Sequence, residues 1–235
     1  MNSGFSIENL EKGKIMTTLL QNRTEAGQLL ASRLTAYADC PDGLVLALPR
    51  GGVPVAFEIA RKLHLPLDVC LVRKLGVPGH KELAMGAIAS NDVTIVNRDV
   101  VNWLHVSPET IERVAAQEKE ELARRDRVYR GNRPAPEIRD RTIILVDDGI
   151  ATGATIRAAI ATLRQQQPKE IVVAVPVAAP SVCQELRTEV DKLICLRKPE
   201  PLHSISLWYE DFSQTTDEEV RQLLARAEGE LMAMN

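Results

Sequence analysis

The 235-residue sequence predicts an α/β protein: an open, mainly parallel twisted sheet flanked by helices, with a helical insertion and a C-terminal tail that packs on the core or roofs it. Short apolar runs without polar alternation, LVLALP (44–49), IILV (143–146) and EIVVAVPV (170–177), have the pattern of strands covered on both faces. Segments with apolar residues at helical spacing stand between such runs, the order of a parallel sheet with crossover helices. Gly-containing turns follow two of the runs directly, and in open α/β sheets ligands sit at the carboxyl ends of strands.

In chain order, RTEAGQLLASRLTAYA (23–38) sets Ala26, Leu29, Leu30, Leu34 and Tyr37 on one helical face. After LVLALP, the turn RGGVP leads into a helix over 53–63, with Pro54 near its first turn, where proline is tolerated. LDVCLVRK (67–74) is expected as one strand and VTIVN (93–97) as another. Residues 107–130 form the longest helical segment, with Ser107 as N-cap and Pro108 at the first position; its alternating charges suit a solvated face or a packing arm. GNRPAPEIRD (131–140) is a loop by its Gly and Pro content. RTIILVDD then gives a strand, GATIRAAIATLRQQ a helix, EIVVAVPV a strand, 180–188 a helix and DKLICL (191–196) a last strand. Beyond it, Trp208, Tyr209 and Phe212 cluster within five residues of a chain that has eight aromatics in all, before a final helix with Thr215 and Glu218 spaced as a capping box.

These segments divide the chain into a polar leader (1–15) open to disorder, with Met16 as an alternative start, a core over 16–197 carrying the insertion 98–140, and a tail over 198–235. The 45% hydrophobic and 26% charged fractions are those of an ordinary soluble protein, and the net charge of −3 leaves no basic footprint for nucleic acid or an anionic membrane. No apolar window approaches the ~18 residues of a membrane span, and the leader has no signal-peptide core, so a cytoplasmic location is expected. The four cysteines form no CxxC pair and the four histidines no cluster, so no structural zinc is expected and the cysteines are read as small buried hydrophobes.

The chemistry concentrates in IILVDDGIATGAT (143–155). Asp147 and Asp148 end a buried strand side by side, an unfavourable placement unless something binds there. Gly149, Ile150, Ala151, Thr152, Gly153, Ala154 and Thr155 then lead into a helix whose first N–H groups make a phosphate cradle, with two hydroxyls to help. A ligand with a phosphate at one end and a vicinal diol nearby, such as a ribose 5-phosphate, satisfies both halves. A plain phosphate does not, because the carboxylates repel it. A Walker A loop and a GxGxxG fingerprint are absent.

This stretch resembles the thirteen-residue phosphoribosyl-pyrophosphate (PRPP) motif of the type I phosphoribosyltransferases. LPRGG (48–52) resembles the family's pyrophosphate loop, and VRK (72–74) the Arg-Lys pair opening its mobile catalytic loop; the three occur in the family's order. The resemblance implies that Asp147 and Asp148 hold the ribose hydroxyls, that residues 150–155 hold the 5-phosphate, and that Arg50, Gly51 and Gly52 face the pyrophosphate. It implies Lys74, with Arg73, neutralising the leaving group, and Mg2+ held mainly through PRPP, without dedicated protein ligands. It also implies small-molecule partners only, a homodimer, and displacement of pyrophosphate at the anomeric carbon by a nitrogen nucleophile.

LGVPGHKELAMG (75–86), with Gly76, Pro78 and Gly79, is the candidate lid; His80, Lys81 and Glu82 supply lid chemistry or belong to a merely exposed loop. Ala151 stands where family members acting on 6-oxopurines carry an aspartate, so an adenine-type or other acceptor is expected. Trp208, Tyr209 and Phe212 either stack on an acceptor base or anchor the last helix. The segments NRTEAGQLLA and SISLWYEDFSQTTDEEV resemble a group of uncharacterised bacterial phosphoribosyltransferase-domain proteins, sometimes fused to a hydrolase domain. Two functions are compatible with these residues: a Mg2+- and PRPP-dependent transferase, or a regulator that keeps the fold as a PRPP sensor. The Arg73–Lys74 pair and the Gly/Pro-rich lid favour the transferase.

Overall fold

The computed structural model describes residues 19–90 and 93–234, with the backbone alone at Lys81 and Glu82. The expected leader over 1–15, and Met16, lie outside the described residues. Eight strands follow one another as β1 (Gly43–Ala47), β2 (Leu67–Val69), β3 (Val72–Val77), β4 (His80–Ala89), β5 (Thr94–Val96), β6 (Thr142–Val146), β7 (Glu170–Val177) and β8 (Lys192–Arg197). Five of them, in the order β2-β1-β6-β7-β8, form a parallel sheet; β3, β4 and β5 form a separate antiparallel one.

Period-2 alternation sorts the parallel sheet into two apolar faces. Val45, Ala47, Ile144, Val146, Val172 and Ala174 point into a cluster with α1 (Arg23–Arg33), α2 (Gly52–Leu63) and residues of the long insertion helix. Leu44, Leu46, Ile143, Leu145, Ile171 and Val173 point the other way, onto Ile156, Ile160 and Leu163. Burying each side chain of leucine size contributes ~1.5–3 kcal/mol, so the central strands are held from both sides. The β1–β6 register pairs Ala47 with Val146, which brings the two strand ends, and the loops that leave them, side by side.

The structure differs from the sequence expectations at several elements. LDVCLVRK is not one strand. Cys70 still donates to the Ala47 carbonyl at 2.8 Å, but β3 then leaves the parallel sheet to pair with β4. The physical reason is polarity: Arg73, Lys74 and Gly76 interrupt the apolar run, and such a segment suits an antiparallel hairpin with a solvated side. VTIVN accordingly joins this small sheet through β5, and the candidate lid over 75–86 is mostly hairpin, turning at Pro78 and Gly79 (φ 82°). The first helix stops at Arg33, with a 3-10 turn over Thr35–Tyr37.

The insertion supplies a short helix, α3 (Arg98–Trp103), and the long α4 (Pro108–Arg130), capped by Ser107 as expected. Buried Arg130 ties the end of α4 to β2, donating to Asp68 Oδ1 at 2.9 Å and to the Val69 carbonyl at 2.6 Å, with Asp126 on its other side. After β6 come α5 (Ala154–Arg164), α6 (Pro180–Leu186) and α7 (Asp217–Met232). The cap of α7 is Thr216, whose hydroxyl accepts from the Glu219 N–H at 3.1 Å, one residue later than the Thr215 capping box expected; Thr215 is buried instead. No helix of the described residues is long and apolar enough to cross a membrane.

The contact between α1 and α2 is close enough to test. A Cβ on Gly27 would lie 2.5 Å from the Val55 carbonyl oxygen and 2.7 Å from Glu58 Cβ. Alanine gains ~1 kcal/mol in helix propensity, while overpacking costs ~1–3 kcal/mol. Since the obstacle is backbone, the clash wins. Gly27→Ala is expected to lower stability by about 1–2 kcal/mol in urea denaturation; a midpoint at or above wild type contradicts the packing.

Candidate active site

Two loops, 48–52 after β1 and 147–153 after β6, meet at the carboxyl edge of the sheet, and they interlock. A Cβ on Gly51 would fall 1.9 Å from Asp148 Oδ2, and one on Gly52 would fall 2.8 Å from the Val146 carbonyl oxygen and 3.4 Å from Asp147 Oδ1. Each glycine thus stands against one aspartate: a side chain at Gly51 would displace the Asp148 carboxylate, and one at Gly52 would press on the backbone of Val146 and Asp147. Leu48 donates to the Val146 carbonyl at 2.8 Å and Gly52 to the Leu48 carbonyl at 3.1 Å, closing the first loop; the Pro49–Arg50 peptide is cis. The Gly52 N–H is therefore spent inside its loop, and the groups left to face an anion there belong to Arg50 and Gly51. The Arg50 guanidinium is 3.7 Å from Asp217 Oδ1, a carboxylate that also accepts from the Tyr129 hydroxyl at 2.6 Å.

In the second loop Asp147 Oδ1 accepts from the Asp148 N–H at 2.8 Å. Burial, followed by the charge of Asp148 beside it, pushes the Asp147 carboxyl well above the usual range. Ile150 differs from its expected role. It is buried, bridges to Ala178, and donates its N–H to the Val177 carbonyl at 2.8 Å, so the candidate phosphate cradle starts at Ala151. Ala151, Thr152, Ala154 and Thr155 are exposed on the rim, and Gly153 caps α5 in the left-handed region (φ 79°). The Ala154 N–H lies 3.4 Å from Thr152 Oγ1, which fixes the hydroxyl at the mouth of the cradle.

The start of β3 reaches the same edge: one small pocket is lined by Pro49, Val72, Leu122, Arg125 and Thr155. Arg73 donates to Glu118 Oε2 of α4 at 2.6 Å, so its charge is shared with the insertion rather than held for the loops. Lys74 is half-buried and lies opposite Ala87 in the hairpin. His80 is exposed near the hairpin turn, and the Glu82 side chain lies outside the described residues.

The tail aromatics serve as anchors more than as a platform. Tyr209 is buried and donates its hydroxyl to the Asp148 carbonyl at 2.7 Å, and burial pushes its phenol upward. Phe212 packs on Tyr209 with ring centroids 4.9 Å apart, and the Arg23 guanidinium covers it at 3.9 Å. Trp208 is half-buried beside them, its carbonyl accepting from the Leu20 N–H at 3.0 Å. Ile205 rests on Gly149, where a Cβ would meet it at 2.5 Å.

Sequence reasoning missed Arg23, whose Nε and Nη2 reach Asp148 Oδ2 at 2.8 and 2.7 Å. A signal existed. Arg23 opens α1, and a cation in a first turn opposes the helix dipole. Arginine there needs another partner, and Asp148 is that partner.

Comparison with known proteins gives the family and the fold. The family model described as phosphoribosyl transferase domain matches residues 17–202. Two Mycobacterium tuberculosis proteins, from strains CDC 1551 and H37Rv, are 41% identical over 209 residues; their names assign them provisionally as phosphoribosyl transferases. The match covers 89% of this chain and 47% of each relative, so the chain spans about half their length. A solved structure, TT1426 of Thermus thermophilus, superposes with a TM-score of 0.82 at 37% identity, covering 89% of this chain and 99% of that one.

The raised carboxyl of Asp147 makes a stability prediction with a definite sign. The stability that its neutral form provides is fully present below the unfolded value of ~3.9 and is lost as pH rises through the higher folded value. Asp147→Asn stays neutral and keeps an oxygen for the Asp148 N–H. It is therefore expected to melt about 2–4 °C above wild type at pH 7–8, the shift made by ~1 kcal/mol in a domain of this size. The gap is expected to close toward pH 4. A lower melting temperature at neutral pH contradicts the assignment.

Proposed function

Since this chain belongs to the phosphoribosyl transferase family, we propose that it is a PRPP-dependent transferase that moves the 5-phosphoribosyl group to a nitrogen acceptor and releases pyrophosphate. The observation that carries this reading is the interlock of Gly51 and Gly52 with Asp148 and Asp147, because it sets a diol-accepting pair beside an anion-facing loop at one edge of the sheet. In this reading the carboxylates of Asp147 and Asp148 accept from the ribose hydroxyls. The cradle from Ala151 to Thr155 takes the 5-phosphate on backbone N–H groups and the hydroxyls of Thr152 and Thr155. Arg50 and the Gly51 N–H face the pyrophosphate, and Lys74 meets the negative charge that develops as the anomeric C–O bond breaks.

Mg2+ fits this reading as PRPP's own companion: the described residues hold no cluster of three metal-ligating side chains, so the ion would be held mainly by PRPP's oxygens beside Asp147 and Asp148 and would supply charge neutralisation for the leaving pyrophosphate. Ala151 offers no carboxylate to a purine ring, which supports an acceptor other than a 6-oxopurine, with adenine-type bases first. We take the protein to act as a cytoplasmic homodimer. A second reading, a PRPP-sensing regulator, draws on one observation: Arg73 is committed to Glu118 of the insertion rather than to the loops where a leaving group would sit.

The test is mass spectrometry of products after incubation with Mg-PRPP and a pooled set of nucleobases. A nucleoside monophosphate mass is expected, absent in the Asp147→Asn plus Asp148→Asn variant. Lys74→Ala is expected to bind PRPP and to lose about 10²–10³-fold in turnover, the effect of one transition-state donor. Undiminished turnover removes Lys74 from the mechanism, and PRPP binding without product from any base supports the sensor.

A further inference from the structure

Arg23 lies outside the aspartate motif, the 48–52 loop and the Arg73–Lys74 pair, yet its guanidinium stands inside the site. Nε and Nη2 both approach Asp148 Oδ2, at 2.8 and 2.7 Å, and Nε lies 3.2 Å from where a Cβ on Gly51 would be. Nη1 donates to the Ser213 carbonyl at 2.7 Å, and the planar face rests on the Phe212 ring at 3.9 Å. The side chains of the pair are 11% and 17% exposed, too buried for the contact to be a solvent-screened surface bridge. Three segments hold the guanidinium in place: the start of α1, the aspartate loop and the tail.

We propose that Arg23 is a positioning residue of the PRPP site, fixing the Asp148 carboxylate so that one oxygen is presented to a ribose hydroxyl. This proposal rests on the transferase reading of the same edge. Its argument is geometric. Two donors converge on a single oxygen, Oδ2, and so set the rotation of the carboxyl group while leaving Oδ1 as the acceptor. The Asp148 main chain is held too, since Tyr209 donates to its carbonyl at 2.7 Å. With backbone and one oxygen both pinned, the second oxygen has one direction in which to accept. Without Arg23, Oδ2 loses both its donors, the carboxyl group is freer to rotate, and the hydroxyl loses an aligned partner.

The strap that carries Arg23 also explains why the tail closes on this edge. Leu20 pairs with Tyr209 as a parallel bridge, and the Glu210 and Asp211 N–H groups donate to the Leu20 and Gln21 carbonyls at 2.8 and 2.9 Å. These bonds fix the entry of α1 and hence the point from which Arg23 reaches inward.

The experiment compares wild type, Arg23→Gln and Arg23→Lys by calorimetric titration with two probes, ribose 5-phosphate and 2,3-dideoxyribose 5-phosphate, after thermal melts confirm folding. Arg23→Gln is expected to lose about 10-fold or more in affinity for the diol, the effect of a charge-assisted hydrogen bond, and no more than about twofold for the dideoxy sugar. Arg23→Lys, which keeps the charge with a single contact point, is expected to fall between wild type and Arg23→Gln on the diol alone. It carries the test if the glutamine variant does not fold. Equal or tighter binding of the diol by the variants overturns the proposal, as does an equal loss on both probes, which marks a purely structural role. Failure of wild type to bind either ribose 5-phosphate or Mg-PRPP instead overturns the transferase reading, and this proposal with it.

Discussion

The close approach of the 48–52 loop to the aspartate pair constrains everything else at the carboxyl edge of the sheet. Gly51 stands so near Asp148 that a methyl group would sit 1.9 Å from a carboxylate oxygen, and Gly52 is packed against the carbonyl of Val146. Two acidic groups that would otherwise repel each other in a partly buried setting are thereby fixed against backbone. The approach depends in turn on the register of β1 and β6, since Ala47 and Val146 are paired and the loops leave the sheet at the same level. A one-residue slip between these strands would move both loops and turn every core side chain to the wrong face.

Around that interlock the other elements act as supports. The tail closes on the aspartate loop through Tyr209 and through Ile205 against Gly149. On the other side α4 reaches the small sheet through Arg73 and Glu118, and reaches the parallel sheet through Arg130, whose buried guanidinium binds Asp68 and the Val69 carbonyl. Arg50 meets the N-terminus of α7 through Asp217, which the Tyr129 hydroxyl also holds. The insertion and the tail therefore converge on the two loops, although they are separated by much of the chain. The unfavourable proximity of Asp147 and Asp148 is retained, which is the pattern expected where local stability is traded for binding.

Much of this was legible in the sequence because it is local. Continuous apolar runs mark the parallel strands, Ser107 marks the start of α4, and the order of acids, glycines and threonines over 147–155 marks the candidate ligand edge. What was not legible depended on long-range partners. The run LDVCLVRK looks continuous, but its second half pairs with β4, and only the adjacent charges of Arg73 and Lys74 point to the change of sheet. Ile150 belongs to the phosphate cradle by its sequence position alone, whereas its apolar side chain draws it into the core and its N–H goes to Val177. The sequence allows the tail aromatics either to stack or to anchor, and the described contacts of Tyr209 and Phe212 are those of anchors. Arg23 escaped notice because its partner lies 125 residues away, a distance no periodicity reveals.

The most direct test of the interlock as a PRPP site is calorimetric titration of wild type and Gly51→Ala with Mg-PRPP, with circular dichroism to confirm that both are folded. The account predicts saturable one-to-one binding to wild type and a loss of about 10-fold or more in the variant, because the added methyl must displace the Asp148 carboxylate. Equal affinity of the two proteins, or no binding to folded wild type, would contradict it.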